Sequence, residues 1–267
     1  MRKKTFMILK ILIALISFLG TFLCKFNVCH ILLDWADILF NICVGVFSSM
    51  VLVFFIDEIS RRIQESKLRQ DELEYIKRFN KIVELYIDQY TEMYYCVSTP
   101  LKNRTFEKVC MPENFTIKDM RDLHGKTLLV DNGFFNSSID GFLKIELMLR
   151  NEFISLIERY SFDYYPQFVK IFTSFVRTSI TYDCRDALND SWNMIKNDEK
   201  YRENINYLFE NCADELYSKL KNGNKVYGNI IHPYIFLFEM MKIERQFILD
   251  YNKEIEKVFN LSCSKRN

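Results

Sequence analysis

The stretch that decides the fold begins ILFNICVGVFSSMVLVFFI (residues 38–56) and continues, charged and amphipathic, to Val97. Its apolar part is long enough to cross the roughly 30 Å hydrocarbon core of a bilayer. No Gly or Pro interrupts the run between Gly45 and Pro100. We therefore predict one continuous helix that leaves a membrane and extends for roughly 90 Å, at about 1.5 Å of rise per residue.

An earlier apolar run, FMILKILIALISFLGTFLC (residues 6–24), follows the basic residues Arg2, Lys3 and Lys4. A basic start before an apolar core is also typical of a secretory signal peptide. This run is too long for such a core, lacks a small-x-small cleavage site, and is soon followed by the second run. We therefore expect a transmembrane hairpin within residues 1–56, with spans at about 6–24 and 38–56.

Basic residues near the two runs predict the orientation, because cytoplasmic loops of membrane proteins carry the excess of Lys and Arg. Three basic residues precede the first run, and the second run is followed by Arg61, Arg62, Lys67 and Arg69. The short connection offers only Lys25. Both termini should therefore face the cytoplasm. Lys10, near the start of the first run, should extend its ammonium group to the interface.

The second span carries a small-xxx-small pair, Gly45 and Ser49, with Asn41 one turn earlier. Small residues let membrane helices approach closely, and an amide can form a hydrogen bond across a helix pair. Two interpretations stay open for these three residues. They pack the second span against the first inside one hairpin, or they form a contact between hairpins of separate copies.

The following segment, residues 57–98, is predicted to be a juxtamembrane stalk helix whose basic residues meet anionic lipid headgroups. Its apolar residues recur at intervals of three and four, as in a heptad seam: Ile76, Phe79, Val83, Tyr86, Tyr90, Met93 and Val97. One interpretation is that this seam docks onto the chain's own domain. The other is a parallel coiled coil between copies.

Residues 99–267 are predicted to form a cytoplasmic, mainly helical bundle domain. Its first part holds a short helix after Thr116, capped by Asp119, a possible strand at residues 126–130 and a turn at 131–133. Helical periodicity and helix-starting residues then predict four helices: Ser138–Phe162, Pro166 to about Asn197 with a possible kink near Thr181–Asp183, Glu199–Leu220, and Pro233 to about Phe259. The almost wholly apolar segment Tyr234–Met241 should belong to the core.

Composition supports this all-α class and limits the partners. Only 7 Gly and 4 Pro in 267 residues disfavour a turn-rich β design. The balance of 36 basic and 35 acidic residues gives no overall indication of nucleic-acid binding, and we predict no direct contact with nucleic acid. The 8 cysteines show no CxxC pair and no zinc-finger spacing, so we expect reduced thiols in a cytosolic domain.

Catalytic motifs are absent from the sequence: no phosphate-binding GxxxxGK[S/T] loop, no GxGxxG, no HExxH and no GxSxG occurs. His124 and His232 are interpreted as cap or loop residues. Cys184 lies among charged residues, but no His is placed to activate it. Glutamates of the helices at 138–162 and 232–259 resemble a carboxylate di-metal bundle, yet neither helix has the ExxH pairing. We therefore expect no enzyme, no catalytic residue, no cofactor and no metal.

The layout resembles the small two-span membrane effectors of bacterial anti-phage systems, including those encoded beside retron reverse transcriptases. The resemblance rests on the basic start at Met1–Lys4, the two spans, the basic exit at Arg61-Arg62 and the helical domain. It covers the architecture of the whole chain and no specific motif, so no functional residue is transferred from it.

The resemblance implies a multi-pass protein of the bacterial inner membrane that perturbs that membrane when a trigger or partner releases it, causing abortive infection. The lipid bilayer, further copies of the chain, and a reverse transcriptase–RNA/DNA complex or other sensor are the implied partners. The alternative is a non-toxic membrane-tethered scaffold or interaction protein.

Overall fold

The computed structural model describes residues 2–26, 33–125, 137–221 and 230–264, and every long element in them is an α-helix. The helices are α1 (Arg2–Lys25), α2 (Leu33–Ser98), α3 (Ser138–Arg159), α4 (Pro166–Thr181), α5 (Arg185–Asn197), α6 (Glu199–Asn211), α7 (Ala213–Lys221) and α8 (His232–Ser264). Since these residues contain no strand, the all-α class is confirmed for them. The predicted strand at 126–130 and turn at 131–133 lie outside the described residues.

Helix starts follow from local side-chain chemistry. Ser137 accepts a hydrogen bond from the backbone N–H of Asp140 at the start of α3, and Pro166 occupies the first turn of α4. Thr116 and Asp119 form the predicted capping arrangement, at the start of a 3₁₀ helix that spans Ile117–Asp122. Each cap satisfies backbone donors that have no partner inside the helix.

Two of the four predicted helices of the domain are in fact pairs. The predicted helix from Pro166 is interrupted after Thr181, and the Asp183 carboxylate then accepts the backbone N–H of Arg185 at 3.3 Å, where α5 begins. The predicted helix 199–220 is interrupted at Cys212, whose backbone is not helical. The first break falls at the possible kink predicted near Thr181–Asp183. The second, at Cys212, contains neither Gly nor Pro and was not predicted.

The chain divides into two compact units, Met1–Asp71 and Glu72–Asn267, and the boundary falls within α2. The boundaries predicted from the sequence were instead at residues 56 and 98. Residues 72–98 of the expected stalk belong to the second unit because their apolar face is buried there, with Ile76 and Val97 both 0% exposed. What remains of the stalk is the segment 57–71.

Aromatic rings form much of the core of the second unit. The Phe79 ring lies edge-on to the rings of Phe162, Phe168 and Phe172, at centroid distances of 5.8–6.2 Å. Phe162 has a positive φ of 53°, a conformation that is costly for a bulky residue. The residue is only 2% exposed, so burial among these rings offsets the backbone strain.

We predict that the fragment Leu68–Asn267 folds without the preceding residues, because the core of the second unit is built from side chains after Asp71. The fragment should give a strongly helical circular-dichroism spectrum and a cooperative urea transition. A spectrum of disordered chain, or a transition without cooperativity, would show that the first unit is required for folding.

Candidate functional site

The first unit pairs α1 with the beginning of α2 in antiparallel fashion. A Cβ placed on Gly20 would lie 2.8 Å from the Cys43 sulfur, so the missing side chain of Gly20 permits the close approach. In the same contact between α1 and α2, the ring centroids of Phe18 and Phe47 lie 5.5 Å apart. At one end of the pair, the Lys10 ammonium forms an ion pair with the Asp57 carboxylate. Lys10 thus has a partner on α2.

The apolar part of α2 is exposed. Among the described residues, one helix is long and apolar enough to cross a membrane, judged by length and composition. It is the part of α2 from Asp37 to Ser98. The most apolar 18-residue window has a mean hydropathy of 2.4, and 0% of that window is buried. Leu52 and Phe55, for example, are 62% and 65% exposed. An exposed apolar surface of this kind marks a site of membrane or protein contact.

Asn41, Gly45 and Ser49 lie on the exposed side of α2. All three are exposed, and a Cβ on Gly45 would meet none of the described residues within 4 Å. The side of α2 that packs on α1 carries Cys43 and Phe47 instead. These three residues therefore do not pack against α1, which was one of the two interpretations left open by the sequence. The glycine at the contact between α1 and α2 is Gly20, which belongs to α1.

The segment 57–71 is a charged helical stretch whose side chains from residue 59 onward are exposed. Arg61 and Arg62 both donate to the Glu58 carboxylate at 2.8 Å. These hydrogen bonds lower the pKa of Glu58, and the bond from Arg62 has the larger effect. The segment contains four acidic and four basic residues. Its basic side chains, which we expected to meet anionic lipid, are thus balanced by neighbouring carboxylates.

The predicted seam of α2 faces the chain's own domain. Six of its seven residues are buried and Tyr86 is half-buried in the same hydrophobic core. Side chains used in this way are not available for a parallel coiled coil with another copy. Tyr90, at the middle of the seam, also makes a polar contact, because its hydroxyl donates to Glu244 Oε2 at 2.8 Å.

A cluster of charged side chains lies inside the second unit. It joins glutamates of the two helices compared with a di-metal bundle to charged residues beside Cys184, a contact that the sequence did not predict. Glu146 of α3 and Glu244 of α8 are both 0% exposed. The Arg185 guanidinium binds Glu146 directly and Asp183 at 2.5 Å. Asp183 is also 3.6 Å from the Arg150 guanidinium. Arginine here supplies the positive charge that a carboxylate di-metal bundle would take from metal ions.

The two glutamates differ in their partners. Glu146 has an arginine in direct contact, whereas Glu244 accepts from the Tyr90 hydroxyl. The Oε1 atom of each glutamate has no hydrogen-bond partner among the described residues. Burial raises the pKa of Glu244 to about 8, although Tyr90, Arg185 and Arg150 oppose the shift. Glu244 is therefore mainly protonated at neutral pH. The cluster links α3 to α5 and α2 to α8. Among the described residues, no group of three His, Cys, Asp or Glu side chains is placed to bind a metal ion.

The residues that the sequence singled out for chemistry are held in structural roles. The His124 ring stacks on Trp192, its Nε2 lies 2.8 Å from the Tyr234 hydroxyl, and burial lowers the His124 pKa to about 4. Burial, followed by the charge of Asp183, raises the pKa of Cys184 to about 12. A nucleophilic cysteine requires the opposite shift. His232 packs against Phe236, with ring centroids 4.4 Å apart.

Comparison with known proteins gives no match to this chain, whether among protein-family models, curated proteins or solved structures.

We predict that Glu244→Gln changes how stability depends on pH. A carboxyl group whose folded pKa is raised contributes stability that is fully present below its unfolded value and is lost as pH rises through the folded pKa. For Glu244 this window runs from the ordinary value of 4.5 to about 8. Glutamine is neutral at every pH and keeps an oxygen for the Tyr90 hydroxyl.

The measurement is urea unfolding of the Leu68–Asn267 fragment, both unsubstituted and carrying Glu244→Gln, between about pH 5 and about pH 9. The stability of the unsubstituted fragment relative to Glu244→Gln should fall as pH rises, by at most about 1.4 kcal/mol per pH unit. The pH-dependent contributions of the other titrating groups cancel in this difference, because both fragments contain those groups. A difference independent of pH would mean that Glu244 is already ionised in the folded protein throughout this range.

Proposed function

We propose that the chain is a two-span protein of the bacterial inner membrane that perturbs the membrane during anti-phage defence, causing abortive infection. The observation that carries this proposal is the exposed apolar surface at the start of α2, of which the most apolar window is 0% buried. Such a surface is stable in hydrocarbon and unstable in water.

The antiparallel pair of α1 and α2 supports the two-span arrangement. Two helices that lie side by side, joined by a short connection, return the chain to the side from which it came. Ser17 and Thr21 of α1 donate to backbone carbonyls one turn earlier, at 2.9 and 2.8 Å, which satisfies their hydroxyl groups without water. With Lys and Arg concentrated at the two outer ends, both termini are cytoplasmic.

The side of α2 opposite α1 supports an action by assembly in the membrane. Asn41, Gly45 and Ser49 are exposed there, and a Cβ on Gly45 has open space around it. A small residue allows a neighbouring helix to approach, and an amide in hydrocarbon is stabilised by a partner on that helix. The neighbouring helix in this proposal belongs to another copy of the chain.

The link to anti-phage defence comes from the resemblance in layout to two-span effectors. In this proposal the helical domain senses a trigger or is held by a partner, such as a reverse transcriptase–RNA/DNA complex or another sensor. The membrane part acts once the domain is released.

A membrane-tethered scaffold is the second candidate, and a specific observation favours it. The heptad seam of α2, the longest sign of self-association in the sequence, is buried in the chain's own domain. In this alternative the hairpin only holds the domain, and any protein bound to it, at the membrane.

We predict that Gly45→Leu strongly reduces toxicity while membrane insertion survives. A leucine at the contact separates neighbouring backbones, and membrane helix contacts are each worth roughly 0.6–2 kcal/mol, which multiplies over an assembly. The matched control is Val46→Leu, because Val46 is also exposed, at 38%, but lies beside the Asn41–Gly45–Ser49 face. Membrane potential is measured on overexpression in cells.

Wild type and Val46→Leu should depolarise the membrane, and Gly45→Leu and a chain lacking residues 1–56 should not. Cell killing by the truncated chain would overturn the membrane-effector proposal. If full-length protein leaves the potential unchanged even with its trigger present, the scaffold is the better account.

A further inference from the structure

Helices α5, α6 and α7, together residues 185–221, cover the first turns of α8. The Ser191 hydroxyl lies 2.6 Å from the Tyr234 hydroxyl, and the Phe209 ring lies 5.1 Å from the Tyr234 ring. The Tyr217 ring lies 5.1 Å from the Phe238 ring. The three helices, which we call the strap, thus lie over the apolar segment that the sequence assigned to the core.

Few apolar side chains of the strap are fully buried, although five more pack against the core while partly buried: Trp192, Tyr201, Leu208, Leu216 and Tyr217. The buried ones are Leu188, Ile195, Ile205, Phe209 and Ala213. Helix α8 buries more within its first ten residues, namely Tyr234, Ile235, Leu237, Phe238, Met240 and Met241. Because the free energy of burial scales with apolar area, the strap, with five fully buried apolar side chains over three helices, is held less firmly than α4, which has four by itself.

Polar contacts help to attach the strap along its length. Arg185 binds Glu146 of α3, Ser191 meets Tyr234, and the Tyr217 hydroxyl donates to Glu239 of α8. Water replaces such bonds when a surface opens, so each neutral bond gives the closed form a modest but measurable stabilisation. The exception is the Arg185–Glu146 pair, since removing one buried partner leaves a charge without compensation.

We propose that the strap opens as a unit while α2, α3, α4 and α8 remain folded, and that the Arg185–Glu146 ion pair holds it closed. The opening point is the non-helical segment Tyr182–Cys184, which precedes α5. Opening uncovers Tyr234 and Phe238 at the start of α8. Water disfavours such an apolar surface, so the closed form is the main one.

Two native cysteines test this in the full-length protein. Cys184, which lies in the segment where the strap opens and directly precedes α5, is 7% exposed, and Cys96 in α2 is 0% exposed. Opening of the strap exposes Cys184 alone, whereas global unfolding exposes both thiols. The purified full-length protein in detergent is treated with a maleimide, and mass spectrometry of peptides gives the labelling rate at each cysteine.

In the wild type, Cys184 should react faster than Cys96. Arg185→Met should raise the Cys184 rate by roughly 5- to 30-fold, with the Cys96 rate unchanged. Equal rates at the two cysteines in the wild type would overturn the proposal, and so would an Arg185→Met rate at Cys184 equal to that of the wild type.

If Arg185→Met unfolds the whole domain, the labelling rates at both cysteines rise. In that case the milder variant Ser191→Ala tests whether the strap opens by itself. This change removes the hydroxyl that meets Tyr234 and creates no buried charge. Faster labelling of Cys184 alone supports the strap. A parallel rise at Cys96, or no change at either cysteine, contradicts it.

Discussion

Helix α2 keeps its backbone hydrogen bonds within itself from Leu33 to Ser98, and the rest of the structure depends on this continuity. A helix is one of the few forms of backbone that hydrocarbon and water both accept, because it leaves no internal donor or acceptor unpaired. The side chains therefore decide the surroundings of each part. From Ile38 to Ile56, α2 carries no charged residue and is mainly apolar, whereas after Glu72 its apolar residues occupy one face, which is buried in the second unit.

The interior of the second unit combines an aromatic core with buried charge. Rings such as Phe153 and Phe172, 4.5 Å apart and stacked, supply apolar contact area without polar demands. Glu146 and Glu244 impose such demands, and the structure meets them in two ways. Glu146 is compensated by Arg185, and Glu244 by a raised pKa that keeps it neutral. A buried pair of this kind is weak as a source of stability, but it fixes which helices meet.

Much of the helical plan could be predicted from the sequence, because apolar spacing and caps are local signals. The start of α4 at Pro166, the capping by Asp119 and the burial of Tyr234–Met241 belong to this class. The contact between Arg185 and Glu146 could not, since the two residues are 39 positions apart and no local pattern relates them. The same holds for Gly20 and Gly45, two glycines in apolar helices of which only Gly20 packs on a neighbouring helix.

The central claim is that a membrane surrounds the first part of α2 and water surrounds the segment after it. Ser48, Ser60 and Ser66 are all exposed, so the fold of the chain itself protects none of them. Single Ser→Cys substitutions at these positions, labelled in membranes with a water-soluble maleimide, measure protection by the membrane directly. Our account predicts rapid labelling at positions 60 and 66 and almost none at position 48. Labelling at position 48 as fast as at position 66 would contradict it.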